Sequence, residues 1–193
     1  MTLAAKPEGY LESQVERLLT ERCVQGDESA WSALHRQHFS RVISILRRLG
    51  VKDGDLDDAS QEVFLQMFRY LPSFRADSEL RTWLYQLCIT QARRTRRTYS
   101  VRAVLDKLLA RSGEVFVSEP GFSEDAAQAQ VQAALCKLSE PERIVFVLYE
   151  MDGLSGKEIA AIVGAKENTI WRRLHYARKN FRLALGFDAE DES

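Results

Sequence analysis

The sequence is poor in the features that announce a secreted, membrane-bound or catalytic protein. Its three cysteines, Cys23, Cys88 and Cys136, are widely spaced, and an odd number without paired spacing argues against a disulfide framework or a zinc site. Cys88 and Cys136 stand among apolar neighbours and are expected in the core. No run reaches the length of about 18 apolar residues that a membrane span needs. Met1 to Glu12 has no apolar stretch behind a basic start, so no secretory leader is expected and the cytoplasm is the expected compartment. Strand-like alternation is missing except at Val115-Phe116-Val117. There is no glycine-rich phosphate loop and no nucleophile–base arrangement. Of the histidines, His35 and His38 share a helix face but lack a third ligand, and His175 stands alone, so no metal site is expected. Nothing assigns catalysis, and no cofactor is implied.

What the chain does have is segregated charge. Its 193 residues carry 27 Lys and Arg against 28 Asp and Glu, a net charge of −1, at 45% hydrophobic and 28% charged, ordinary for a folded soluble chain. The near-neutral total hides blocks of one sign. Asp53 to Glu62 holds five acids (Asp53, Asp55, Asp57, Asp58, Glu62) and no base, and Leu80 to Leu105 holds six arginines and no acid. Ser112 to Cys136 holds four acids (Glu114, Glu119, Glu124, Asp125) and no base, and Lys166 to Arg182 has six bases against Glu167 alone. Two basic surfaces separated by acidic ones point to two polyanion contacts and to other partners besides.

The periodicity is helical almost throughout. Helices are expected over about Leu11 to Cys23, Ser29 to Leu49, Asp55 to Leu71 and from about Ser78 onward. Trp31, Leu34, Val42, Ile45, Leu46 and Leu49 form the apolar side of the second. Val63, Phe64, Met67, Phe68 and Leu71 form that of the third, and Trp83, Leu84, Leu87 and Cys88 that of the fourth. Residues 99–123 change character, with Gly113, Pro120, Gly121 and rising negative charge. They are expected to be an acidic linker between two domains, with a short amphipathic helix around Val101 to Ala110. A helix over Glu124 to Lys137 follows. Ser139-Glu-Pro-Glu142 and Ser155-Gly-Lys-Glu158 are capping boxes that open further helices. Gly164 ends the second of these, and a basic helix runs from about Asn168 to Leu185. The fold class is therefore all-α: two small helical domains joined by a linker, the C-terminal one a helix-turn-helix.

A helix-turn-helix sets its second helix in the major groove, early side chains on base edges and later basic ones on phosphate. Ile170, Leu174 and Ala177 are expected to turn inward. Trp171, Arg172, His175 and Tyr176 are expected outside, with Arg178, Lys179 and Arg182 further along. An antiparallel helix pair with a solvated basic side is the alternative reading. Arg93-Arg94-Thr95-Arg96-Arg97 follows the aromatic residues Phe74, Trp83 and Tyr85, and a basic helix beside aromatic planes suits melting DNA. Trp83 reads equally as core. The acids of Asp57-Asp58-Ala-Ser-Gln61-Glu62-Val-Phe64 exceed what helix-end electrostatics asks for, and suggest a protein partner.

These stretches, in order, resemble extracytoplasmic-function sigma factors of the sigma-70 family. Phe39-Ser-Arg41-Val42, Asp57 to Leu65, Phe74-Arg75 and Leu80-Arg-Thr-Trp83-Leu-Tyr85 resemble region 2. Leu138 to Arg143, Gly153 to Ala160 and Thr169 to Arg178 resemble region 4. The resemblance spans about Trp31 to Leu185 and implies region 2 at 26–98, region 4 at 124–186, an N-terminal extension at 1–25 and an acidic tail at 187–193. It implies a non-enzymatic subunit that binds core RNA polymerase, through its clamp helices and flap, and directs initiation from −10 and −35 promoter elements. Asp57, Asp58, Gln61, Glu62 and Leu65 would meet the polymerase. Phe74, Arg75, Trp83, Thr90, Arg93, Arg94 and Arg97 would serve the −10 element. Lys166, Thr169, Trp171, Arg172, Arg173, His175, Tyr176, Arg178 and Lys179 would serve the −35 element. The linker would run towards the polymerase active site, and an anti-sigma factor is a further possible partner. Thr90 and Arg94 stand where the family often has Asn and Asp, and Trp171 where a base is usual, which puts promoter preference in question. A helix-turn-helix regulator that is not a polymerase subunit is the rival function.

Overall fold

Short-range chemistry sets most of the helix starts and stops. The computed structural model describes residues 8–73, 80–109 and 124–187. Phe74, Arg75, the strand-like Val115 to Val117 and the linker acids Glu114 and Glu119 lie outside them. Helix α1 (Glu8–Val24) leads to α2 (Glu28–Arg48), whose N-cap Asp27 accepts from the backbone of Ser29 and Ala30. The Ser29 hydroxyl, then Arg22 and the Ala30 backbone N–H, hold the Asp27 carboxyl far below its usual range. Helix α3 (Leu56–Tyr70) ends in a single 3₁₀ turn, Leu71–Ser73. Helix α4 (Leu80–Leu109) runs for 30 residues. The amphipathic segment expected around 101–110 is helical to Leu109, but as an unbroken continuation of α4 rather than a separate helix.

The C-terminal half has α5 (Glu124–Lys137), α6 (Glu140–Phe146), a π-helical turn at Val147–Met151, α7 (Gly156–Val163) and α8 (Glu167–Ala184). Both capping boxes form: Glu142 accepts from the Ser139 backbone at 3.0 Å, and Glu158 from the Ser155 backbone at 2.7 Å. Gly164, at φ 66, supplies the left-handed cap of α7 that turns the chain into α8. The described residues contain no strand.

Two apolar clusters organise these helices. The larger joins Leu34, Val42, Ile45, Leu46, Val63, Met67, Leu84 and Cys88 of the N-terminal half to Ile144, Leu148, Ile159, Ile162, Ile170 and Leu174 of the C-terminal half. The smaller gathers Leu135, Leu138, Phe146, Val147 and Ala177, with Phe181 packed on Phe146 at 4.4 Å. The two helical units thus share a continuous apolar seam where α4 meets α7.

Most of the expected inward residues are buried, and the exceptions have a geometric cause. Phe68 is 60% exposed and Phe64 half-buried, because each lies about 100° round the helix from Met67 or Val63, past the edge of the buried arc. Phe68 packs instead on half-buried Trp31 at 4.8 Å. Cys136 is exposed, not core: α5 buries Ala134 and Leu135, the turn after it buries Leu138, and position 136 rotates away from them. Cys23 and Cys88 are buried. His35 and His38 do not share an exposure. His38 turns into the core and meets Glu16 of α1 at 3.0 Å, whereas His35 stays outside against Phe64. That contact ties the N-terminal helix to α2.

Candidate nucleic-acid interface

The acidic surface is built by one side of α3. Leu56, Ala59, Ser60, Val63 and Met67 face the core, which leaves Asp57, Asp58, Gln61, Glu62 and Leu65 exposed along the opposite side. All five residues expected to meet a protein partner therefore share one surface. Leu65, 51% exposed, adds an apolar residue at the C-terminal end of this carboxylate-bearing side.

The first basic surface is the outer side of α4. Leu84, Cys88, Ile89 and Ala92 are buried, and Thr90, Arg93, Arg94 and Arg97 are exposed. The Thr90 hydroxyl donates to the Gln86 carbonyl at 2.8 Å, a bond internal to the helix. Trp83 is half-buried and packs against the core. Tyr85, expected among the aromatic residues approaching bases, is only 3% exposed. It belongs to the core because the C-terminal half covers it, and its hydroxyl bonds Asp152. Burial, then the Asp152 charge, raise its pKa to about 12.

The second basic surface is α8. Ile170 and Leu174 are buried in the cluster that holds Ile159 and Ile162 of α7, and Ala177 in the one that holds Leu135 and Phe146, which together fix the rotation of the helix. Trp171, Arg172, His175, Tyr176 and Lys179 are exposed, as is Lys166 at the N-cap, while Thr169 and Arg173 are half-buried. Arg172, His175, Tyr176 and Lys179 recur at helical spacing and form one outward stripe. Two of the expected DNA contacts have partners within the unit. The Arg178 guanidinium donates to Glu150 at 2.6 Å and lies 5.5 Å from the Tyr149 ring. Trp171, 42% exposed, meets Tyr149 edge-on at 5.5 Å and covers Gly156 so closely that a Cβ there would stand 2.6 Å from its ring. Trp171 is a brace between α7 and α8 as well as a surface residue, a role hidden from sequence because Gly156 gives no sign of what lies over it.

The residues that sequence reasoning missed lie between the two halves. Arg143, 2% exposed, donates to the carbonyls of Leu135 at 2.7 Å, Leu138 at 2.8 Å and Cys136 at 3.1 Å, and across the seam to Leu49 at 3.2 Å. Burial, and then the charge of Arg96, lower its pKa from the ordinary arginine value. Gly50, at φ 91, is what lets it in: a Cβ there would stand 2.5 Å from the Arg143 Nη1. Arg48 pairs with Asp152 at 2.9 Å, Arg81 with Glu158 at 2.8 Å, and Arg93 with Glu140 at 2.7 Å, with Arg96 3.7 Å from the same carboxylate. Burial raises the Asp152 pKa against the pull of Arg48 and Arg41. Hydrogen bonds from Ser155, and then Arg81, lower that of Glu158. Glu140 and Glu158 read in sequence only as helix-start acids, and each proves to have a second partner in α4.

Comparison with known proteins bears on both surfaces. The family pattern for sigma-70 region 2 matches residues 34–100, and that for sigma-70 region 4 matches residues 128–181. The chain is 32% identical over 179 residues to the ECF RNA polymerase sigma-E factor of Escherichia coli K12, covering 87% of this chain and 93% of that protein. It is 29% identical over 184 residues to the RNA polymerase sigma factor CnrH of Cupriavidus metallidurans, covering 91% and 96%. Among solved structures, CnrH in complex with the cytosolic domain of CnrY shares the fold, with a TM-score of 0.68 at 24% identity over 89% of this chain and 97% of that one. The sigma factor RpoE of Bartonella quintana, solved with the anti-sigma factor NepR, gives a TM-score of 0.60 at 25% identity over 79% and 97%.

Proposed function

The chain belongs to the extracytoplasmic-function group of sigma-70 factors, which direct promoter-specific transcription initiation, and from that premise we propose how its surfaces divide the work. The exposed side of α3, with Asp57, Asp58, Gln61, Glu62 and Leu65, docks on core RNA polymerase, its carboxylates answering basic groups on the clamp helices. The outer side of α4, with Thr90, Arg93, Arg94 and Arg97, lies along the −10 element as it melts. There the arginines take phosphates and Trp83 flanks the bases, with Phe74 and Arg75 just ahead of α4 in the chain. The first turns of α8 enter the major groove of the −35 element. Arg172 has the guanidinium geometry for a base edge, and Lys166, Arg173 and Lys179 hold phosphates on either side. Polymerase supplies the catalysis, so this chain needs no cofactor and performs no reaction of its own. Its work is where the polymerase is, in the cytoplasm. Residues 26–98 and 124–186 are the two functional units, and the acidic linker at 99–123 crosses the polymerase between them. An anti-sigma factor is a fitting regulator, since such a partner accompanies the RpoE relative.

The observation that carries this reading is the order of surfaces along one chain: an acidic docking side on α3, then a basic side on α4, then a helix-turn-helix whose outward stripe is basic. A stand-alone regulator has no use for the first. Size-exclusion chromatography with purified core polymerase tests it. Co-elution in a stoichiometric complex is expected, and elution of the two as separate peaks would refute the polymerase assignment.

A further inference from the structure

One pocket lies across the seam between the two helical units, and its charge is unbalanced. Leu49, Ile89, Arg93 and Arg96 line it from the N-terminal unit, and Glu140 and Arg143 of α6 from the C-terminal unit. It encloses about 200 Å³, counting its open mouth, and its inner end is narrow. Glu140 is the single carboxylate on its lining, 2.7 Å from Arg93 and 3.7 Å from Arg96. Arg143 is 2% exposed and forms no ion pair among the described residues. Its hydrogen bonds go to the carbonyls of Leu135, Leu49, Cys136 and Leu138. Those bonds leave one N–H of its Nη1 over, since a guanidinium carries about five such donors.

We propose that this pocket binds a divalent tetrahedral oxyanion, phosphate or a phosphate monoester, held by Arg93, Arg96 and Arg143 between the two units. Charge sets the valence: three guanidinium groups less one carboxylate leave two positive charges on the lining, which one dianion cancels. Shape sets the size. The narrow inner end takes one oxygen beside Arg143, and the other oxygens stay at the mouth. There the Arg93 and Arg96 side chains, 52% and 33% accessible, reach them as charge-assisted donors. Burial, then the charge of Arg96, lowers the Arg143 pKa, so two like charges repel each other around the pocket. An anion between them relieves that repulsion. The site does not depend on how α4 meets promoter DNA.

Both units contribute lining residues, so the site is complete only while the two are packed together. A ligand that binds one arrangement alone favours it by mass action. The oxyanion therefore stabilises the packed form increasingly as its concentration rises.

The test is isothermal titration calorimetry of the full chain with inorganic phosphate, in chloride buffer of matched ionic strength. A pH of about 8 keeps the phosphate a dianion. A dissociation constant on the order of 1 mM is expected. Sulfate should bind within about threefold of phosphate, and nitrate, a planar monoanion, at least about tenfold more weakly. Adenosine monophosphate separates the two sources of the same chemistry. Affinity within about threefold of phosphate admits monoesters through the mouth, and binding at least about tenfold weaker assigns the site to the free ion. Arg96→Gln is expected to weaken phosphate binding about tenfold, and Glu140→Gln, which removes the competing carboxylate, to tighten it about threefold. A damaged fold would weaken both, so the opposite signs separate ligation from mere structure. The control Arg17→Gln removes one charge from an exposed pair on α1 and should stay within about twofold of the parent. No heat beyond dilution, binding indifferent to Arg96→Gln, an equal loss in Arg17→Gln, or a loss in Glu140→Gln overturns the proposal.

Discussion

Arg143 shows how one side chain organises both halves of the molecule. It is an arginine with almost no access to water, and its donors are spent on carbonyls at the end of α5, the α5–α6 turn and the end of α2. Burying that charge is costly, and the carbonyls repay it only while every one is in place. Arg143→Met keeps the volume and removes the donors. It should lower the unfolding free energy by about 2–4 kcal/mol, read as a lower urea midpoint with unchanged slope; an unchanged midpoint would show the carbonyls to be satisfied without it. Gly156 makes the complementary point. A methyl group there meets a rigid indole ring rather than a flexible chain end, so Gly156→Ala should cost about 1–3 kcal/mol by overpacking. The tryptophan fluorescence of the variant should shift as Trp171 is pushed towards water, and an unaltered spectrum with unaltered stability would mean that the ring has room to move.

At the scale of helices, what matters is which side of each element is covered and by what. Tyr85 is covered by the C-terminal unit, and its phenol is held neutral by burial and by Asp152. A group whose folded pKa is raised contributes stability below its unfolded pKa and loses it as pH rises. Between about pH 10, where the unfolded phenol ionises, and about pH 12, the folded value, stability should fall by up to about 2–3 kcal/mol. Tyr85→Phe should flatten that alkaline loss in a series of denaturation curves, and an equally steep loss in the variant would place its cause elsewhere. Helix α3 is the opposite case: among the described residues, Asp57, Asp58, Gln61, Glu62 and Leu65 on its acidic side are exposed. Asp58→Arg should therefore leave helicity and unfolding intact while weakening core-polymerase binding about tenfold or more, the scale of a charge reversal at an interface. Equal affinity before and after the change would remove α3 from the docking surface.

Across the whole molecule, the local structure was legible and the association of the halves was not. Ser139, Glu142, Ser155, Glu158 and Gly164 declare helix ends through interactions spanning three or four residues, so sequence alone sets them. The outward stripe of α8 was equally readable, because Ile170, Leu174 and Ala177 fix its rotation. Phe68 and Cys136 were misjudged by one step of about 100° around a helix, the resolution limit of an apolar pattern near the edge of its arc. Tyr85, Glu140, Glu158 and Arg143 were unreadable for a different reason. Their partners, or for Arg143 the Leu49 carbonyl among them, come from the other unit, 44 positions and more away, and no periodicity encodes such a pairing. The exposed sides of α3 and α8 were thus legible in advance, while the pairing of Arg81, Arg93 and Arg96 of α4 with Glu158 and Glu140 emerges only from the fold. The central claim is that this chain confers promoter choice on RNA polymerase, and run-off transcription with purified core polymerase over a library of −10 and −35 sequences tests it most directly. The account predicts full-length transcripts that require the chain, arise from a defined subset of promoters, and respond at single −35 base pairs to Arg172→Ala. Transcripts indifferent to the chain, or none from any promoter despite active polymerase, would contradict it.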